Sequence, residues 1–64
     1  MNLKEYEKFK IDFDLTEDDI ASVLNCSRVT LSKKKNENKF TLSDLNILAK
    51  KYSLNRDSIT KIFF

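Results

Sequence analysis

The stretch LTEDDIASVLNCSRVTLSKKKNENKFTLSDL, residues 15–45, decides how the chain is read. Thr16 with Asp19 three residues later has the form of a capping box. Glu17, Asp18 and Asp19 place negative charge at the positive end of a helix dipole. Ile20, Val23 and Leu24 follow at helical spacing, with the small Ala21 beside them. Asn25 is the best non-glycine residue for a left-handed helix stop. Ser27 then offers an N-cap hydroxyl to a second helix, expected to run to about Asn36. The polar run Asn36-Glu37-Asn38-Lys39 reads as a loop. Thr41, again with an aspartate three residues on, starts another helix.

Working outward, a first helix is expected from about Asn2 to Phe13, with Leu3, Tyr6, Phe9 and Phe13 near helical spacing and Lys10 sharing the turn of Phe9. Beyond Thr41, the residues Leu42, Leu45, Leu48, Ala49 and Tyr52 form one apolar stripe. Ser53 and Leu54 lead to Asn55, the N-cap of a last short helix that carries Ile59, Ile62 and Phe63 on one side. Phe64 is left to fold back over the bundle or stay exposed. Tyr6, Phe9, Phe13, Phe40 and Tyr52 are expected in the core. The chain has no Gly and no Pro, and two-residue hairpins lean on Gly, so a sheet-rich fold is unfavoured. The expectation is an all-α fold: a compact five-helix bundle, residues 1–64 forming one domain.

Composition narrows the chemistry. There is no His and only one Cys among 64 residues, which removes the commonest general base and the usual tetrahedral zinc sets. The acidic cluster Asp12, Asp14, Asp18 and Asp19 lacks the loop and Gly of a calcium-binding hand. No catalytic constellation, metal site or cofactor motif can be assembled, so a non-enzyme without cofactors is expected. Cys26 alone cannot form an internal disulfide, which fits a reducing compartment. No apolar run approaches the roughly 18 residues of a membrane span, and the charged N-terminal segment does not resemble a secretory leader. The expected location is the cytoplasm, away from any membrane. The net charge of +2 hides an asymmetry: residues 1–19 sum to −4 and residues 20–64 to +6. Most of the excess sits in Arg28, Lys33, Lys34, Lys35 and Lys39, a concentration of the kind a polyanion would meet.

These features converge on a helix-turn-helix. Such a motif needs a small residue midway along its first helix (Ala21), a residue tolerant of positive φ at the joint (Asn25), apolar anchors on both helices (Ile20, Leu24, Leu31) and a polar or basic outer face on the second helix. The stretch from about Leu15 to Leu54 resembles the helix-turn-helix of the Cro and repressor family of bacteriophages and bacterial regulators, a lambda-repressor-like DNA-binding domain. The ending Ile62-Phe63-Phe64 is similar to that of some small Cro-like phage regulators. The resemblance implies binding to double-stranded operator DNA in a bacterial host cell, with the helix of about residues 28–36 in the major groove. By position, it implies that Arg28, Val29, Ser32 and Lys33 face base edges. It implies that Ser27, Lys34, Lys35, Asn36, Lys39 and Thr41 lie at phosphates.

Three features depart from the family pattern. Glu17 stands where many relatives carry a phosphate-contacting Gln, a role DNA would deny a carboxylate. Lys34 and Lys35 stand where relatives bury an aliphatic side chain, so a leucine at position 34 is expected to stabilise the free protein. The loop after Asn36 lacks the Gly that relatives often have. The implied function is a sequence-specific transcription regulator, a Cro-like repressor in a genetic switch. The alternative is a protein-binding modulator or antirepressor that captures a repressor with the same fold. A weak homodimer, or a dimer formed on DNA, remains open alongside it.

Overall fold

The computed structural model describes the whole chain, Met1–Phe64. It contains five helices and no strand: α1 (Leu3–Asp12), α2 (Glu17–Val23), α3 (Arg28–Glu37), α4 (Leu42–Tyr52) and α5 (Arg56–Phe63). The all-helical expectation holds, and the radius of gyration of 10.5 Å makes the bundle compact.

Every helix starts by the same local device. Asn2, Thr16, Ser27, Thr41 and Asn55 sit in extended backbone, and each side chain accepts the amide three residues on. Thr16 with Asp19 and Thr41 with Asp44 close complete capping boxes. Each cap satisfies donors that the helix itself cannot.

The four internal helix ends also share one device. Asp14, Asn25, Asn38 and Ser53 all take positive φ, between 53° and 56°. The next amide then reaches back into the last turn: Leu15 to Lys10 at 2.8 Å, Cys26 to Ala21 at 2.9 Å, Lys39 to Lys34 at 2.9 Å and Leu54 to Ala49 at 2.9 Å. This is the six-to-one closure that satisfies orphan carbonyls. Asn38, not Asn36, stops α3, so that helix extends one residue into the expected loop.

The core is built from Tyr6 and Phe9 of α1, Ile20, Ala21 and Leu24 of the α2 region, Leu31 of α3, Leu45 and Leu48 of α4, and Ile62 and Phe63 of α5. Helix α1 packs on α5, and α2 packs on both α3 and α4. The amide of Asn2 donates to the Ile62 carbonyl at 2.8 Å, which pins the two ends of the chain together. Aromatic edges fill two gaps. Phe9, Phe13 and Tyr52 meet with centroids 5.2–5.6 Å apart, and Phe40 abuts Phe63 at 5.0 Å.

Three expected core residues are not buried. Leu3, Phe13 and Leu42 are exposed. Each lies at a helix end. Phe13 still packs one edge on Phe9 and Tyr52. Phe40 and Tyr52 are half-buried. Of the last three residues, Ile62 and Phe63 point inward and Phe64 is 80% exposed.

The left-handed stops carry a testable cost. Ser53 holds φ 54° with a Cβ that crowds the following carbonyl, a strain glycine escapes. Ser53→Gly is expected to stabilise the fold by about 0.5–1 kcal/mol. Urea denaturation would read this as a higher midpoint at unchanged slope; a lower midpoint would show that Ser53 compensates its strain by contacts glycine cannot make.

Candidate nucleic-acid interface

Helix α3 buries one residue, Leu31. Arg28, Val29, Ser32, Lys33 and Asn36 are all exposed. They recur at the i, i+1, i+4, i+5 and i+8 positions that share one helical face. At 1.5 Å per residue, Arg28 to Asn36 spans about 12 Å along the helix. Val29 is a large apolar side chain left uncovered on this face. Lys33 is the only cation of α3 with no carboxylate partner.

The lysine run does not form a single basic patch. Successive residues on a helix are rotated by about 100°, so three in a row point three ways. Lys33 points outward. Lys34 crosses to α4, where its ammonium donates to Asp44 Oδ2 at 2.7 Å. Lys35 turns back to α2 and donates to Glu17 Oε1 at 2.7 Å. Their side chains are only 20% and 19% exposed. Lys34 points inward and is held there by an ion pair. Against the expectation that leucine stabilises this position stands the Asp44 carboxylate, which would lose its partner.

Glu17 is the centre of a larger cluster. Its Oε1 accepts from Lys10 at 2.7 Å as well as from Lys35, and its Oε2 accepts from the Tyr6 hydroxyl at 3.0 Å. Both ammoniums also lie over the Tyr6 ring, at 5.4 Å and 5.0 Å from its centroid. Glu7 adds a second carboxylate to Lys10 at 3.3 Å. The cluster ties α1, α2 and α3 together. The Glu17 carboxylate is turned into the protein and neutralised there.

The titration of the cluster follows from its contacts. Burial alone would raise the Glu17 pKa, but hydrogen bonds from Lys10, Lys35 and Tyr6 outweigh it and hold the carboxyl below its ordinary value. Burial likewise works against the charge of Lys10, and its bonds to Glu17 and Glu7 raise its pKa nonetheless. Tyr6 is pushed well above the usual phenol range, first by burial and then by the Glu17 charge, so it remains a donor. Asp44 is lowered: burial opposes this, and Lys34 with the Thr41 backbone and hydroxyl overcomes it.

The remaining expected site residues lie around α3. Ser27, at its N-terminus, accepts from the Thr30 amide at 3.1 Å and donates to the Thr30 hydroxyl at 3.0 Å, so both functions of its hydroxyl are engaged. Lys39 and Thr41 lie exposed in the α3–α4 connection. Lys39 pairs with Glu37 at 3.0 Å, and the Thr41 hydroxyl caps α4 by accepting the Asp44 amide at 3.1 Å. The N-terminal ammonium donates to Asn38 at 3.3 Å, which holds this connection against the start of the chain. Cys26 is half-buried at the α2–α3 joint, against the core.

Two pairings had no sequence signal: Lys35 with Glu17 is separated by 18 residues and Lys34 with Asp44 by 10. A third links Arg28 Nε to Asp18 Oδ1 at 3.3 Å across the α2–α3 joint. No helix is long and apolar enough to cross a membrane. Comparison of the chain with protein-family models, with curated proteins and with solved structures gave no match.

Two stability measurements test the ion pairs. Unfolded carboxylates take up protons near the ordinary values of 4.5 and 3.8, while folded Glu17 and Asp44 resist until lower pH. Unfolding therefore binds protons, and stability falls as pH drops through and below that range. Glu17→Gln should cost about 1–2 kcal/mol at pH 7 and flatten this acid limb. An unchanged limb in urea melts from pH 7 to 2.5 would refute the hub. Lys34→Leu should likewise lower stability by about 1–2 kcal/mol at neutral pH, because Asp44 keeps its charge in a largely buried setting. A raised melting temperature would show that leucine packing outweighs the lost pair.

Proposed function

We propose that the protein is a sequence-specific, double-stranded DNA-binding regulator of transcription that acts as a Cro-like repressor in a genetic switch and lays α3 in the major groove. The observation that carries this reading is the division of α3. Leu31, Lys34 and Lys35 fasten its back, while Arg28, Val29, Ser32, Lys33 and Asn36 face outward together. A helix about 10–12 Å across with its side chains fits a major groove about 12 Å wide. A helix that buries a single apolar residue and is still held from two sides presents a surface to something outside the chain.

In this reading Arg28, Val29, Ser32 and Lys33 meet base edges. Arginine pairs with the two acceptors of guanine, and an apolar valine suits a thymine methyl. Asn36, Lys39 and Thr41 meet phosphates, together with the amides at the start of α3 beside Ser27. Lys34 and Lys35 leave the phosphate set, since each is largely buried and held by a carboxylate of a neighbouring helix.

Selection from a randomised duplex pool with the purified chain tests the proposal. An enriched site is expected, bound with an affinity that falls as salt rises. Arg28→Ala should cost about 1–3 kcal/mol of discrimination at one base pair. Lys39→Ala should weaken all duplexes alike and reduce the salt slope by about 1. No enrichment, with co-purification of a regulator protein, would replace this reading with the antirepressor one; the exposed Phe64 and Leu3 would then mark the contact to map.

A further inference from the structure

We infer that Asp18 is a positioning residue for Arg28, setting its guanidinium to read guanine and denying it to phosphate; this rests on the DNA-binding reading above. The two residues come from different helices. Arg28 is the first residue of α3, at the outer end of the exposed face. Asp18 is the second residue of α2. Asp18 Oδ1 lies 3.3 Å from Arg28 Nε, and both side chains are largely exposed.

The atom contacted decides what Arg28 can do. A guanidinium carries one donor at Nε and four at its two Nη groups, in a fixed plane. The carboxylate stands beside Nε as an ion pair without a hydrogen bond, so it draws the guanidinium by charge while the paired Nη donors stay uncommitted. These form an edge of parallel donors, the partner that guanine O6 and N7 require. Adenine shows an acceptor and a donor there and is refused by an all-donor edge.

Charge decides the rest. A phosphate approaching Arg28 meets the Asp18 carboxylate at the same time, and like charges repel. Guanine offers neutral acceptors and meets no such repulsion. Asp18 therefore biases Arg28 from the backbone, where arginine binds every sequence alike, towards a base edge, where it discriminates. Free in water, an exposed ion pair orients its partners only weakly. When a duplex covers the pair and water leaves, the same contact operates at lower effective dielectric and holds more firmly.

Nearby acids do not share this task. Asp19 is spent on the capping box, accepting the Thr16 amide at 2.8 Å. Glu17 is turned inward to Lys10 and Lys35. Asp18 alone of the three faces the α3 surface, and it makes no capping bond of its own.

The test compares Asp18→Asn with Glu37→Gln on the duplex selected by the unaltered chain and on its guanine-to-adenine variant at the position lost in Arg28→Ala. Both substitutions remove one negative charge near the interface, so both should raise affinity for unrelated duplexes. Only Asp18→Asn should lower the guanine preference, by about 3- to 10-fold. Circular dichroism melts check that each variant folds. An unchanged guanine preference in Asp18→Asn, an equal loss in Glu37→Gln, or a selected site with no guanine opposite Arg28 would overturn the inference while leaving DNA binding intact. Absence of salt-dependent duplex binding by the unaltered chain would overturn both.

Discussion

The carboxylate of Glu17 is the fixed point of this fold. It sits in the first turn of α2 and gathers Tyr6 and Lys10 from α1 and Lys35 from α3. Its importance follows from what the core cannot supply. Only 11 of 64 residues are buried, and α3 contributes a single one. A helix fastened by one leucine is free to roll about that contact. Lys35 to Glu17 on one side and Lys34 to Asp44 on the other give three points of attachment and remove the freedom. The rotation of α3, and with it the identity of its outer face, is set by two ion pairs.

Such pairs are poor sources of net stability, because desolvation offsets much of the Coulomb gain. Their geometry is more demanding than that of apolar contacts. Two leucines at positions 34 and 35 could slide over neighbouring apolar surface in several registers. An ammonium 2.7 Å from one carboxylate oxygen cannot. Asp44 illustrates the economy of the arrangement. One carboxylate closes the capping box of α4 and receives Lys34, so the start of α4 and the back of α3 are fixed by the same side chain. The aromatic ring of Tyr6 does similar double duty, burying apolar area while its face lies against two ammoniums and its hydroxyl serves Glu17.

What the sequence revealed and what it hid divide along distance. The five N-caps join residues three apart, so Thr16 with Asp19 and Thr41 with Asp44 were legible as patterns. The stop at Asn25 was legible because asparagine favours left-handed backbone. Asp14 and Ser53 adopt the same angles with weaker intrinsic preference, since the position of the next apolar residue, Leu15 or Leu54, closes the turn there. Periodicity overcounted the core at Leu3, Phe13 and Leu42, because spacing says which face a residue occupies and nothing about what covers it. The basic run read as one patch because charge was summed along the chain. Its division among solvent, α4 and α2 depends on partners 10 and 18 residues away. For the candidate site, the outer face of α3 was legible from its spacing, whereas the inward use of Lys34 and Lys35 and the pairing of Arg28 were not.

The distribution of free charge bears on how such a face would choose among sequences. A run of unpaired lysines binds any polyanion, since phosphates are alike in every sequence. Here two lysines of the run are neutralised inside the bundle, Arg28 faces Asp18, and Lys39 faces Glu37. Lys33 is left as the one cation of α3 without a carboxylate beside it. On the DNA-binding reading, a surface of this kind would gain little from phosphate alone, and its discrimination would come from groups that fit: a planar guanidinium, a valine methyl and a serine hydroxyl. The inward pairs that hold α3 still and the outward pairs that restrain its cations thus act in one direction. On the DNA-binding reading they would trade strength of attraction for dependence on shape and hydrogen-bond pattern.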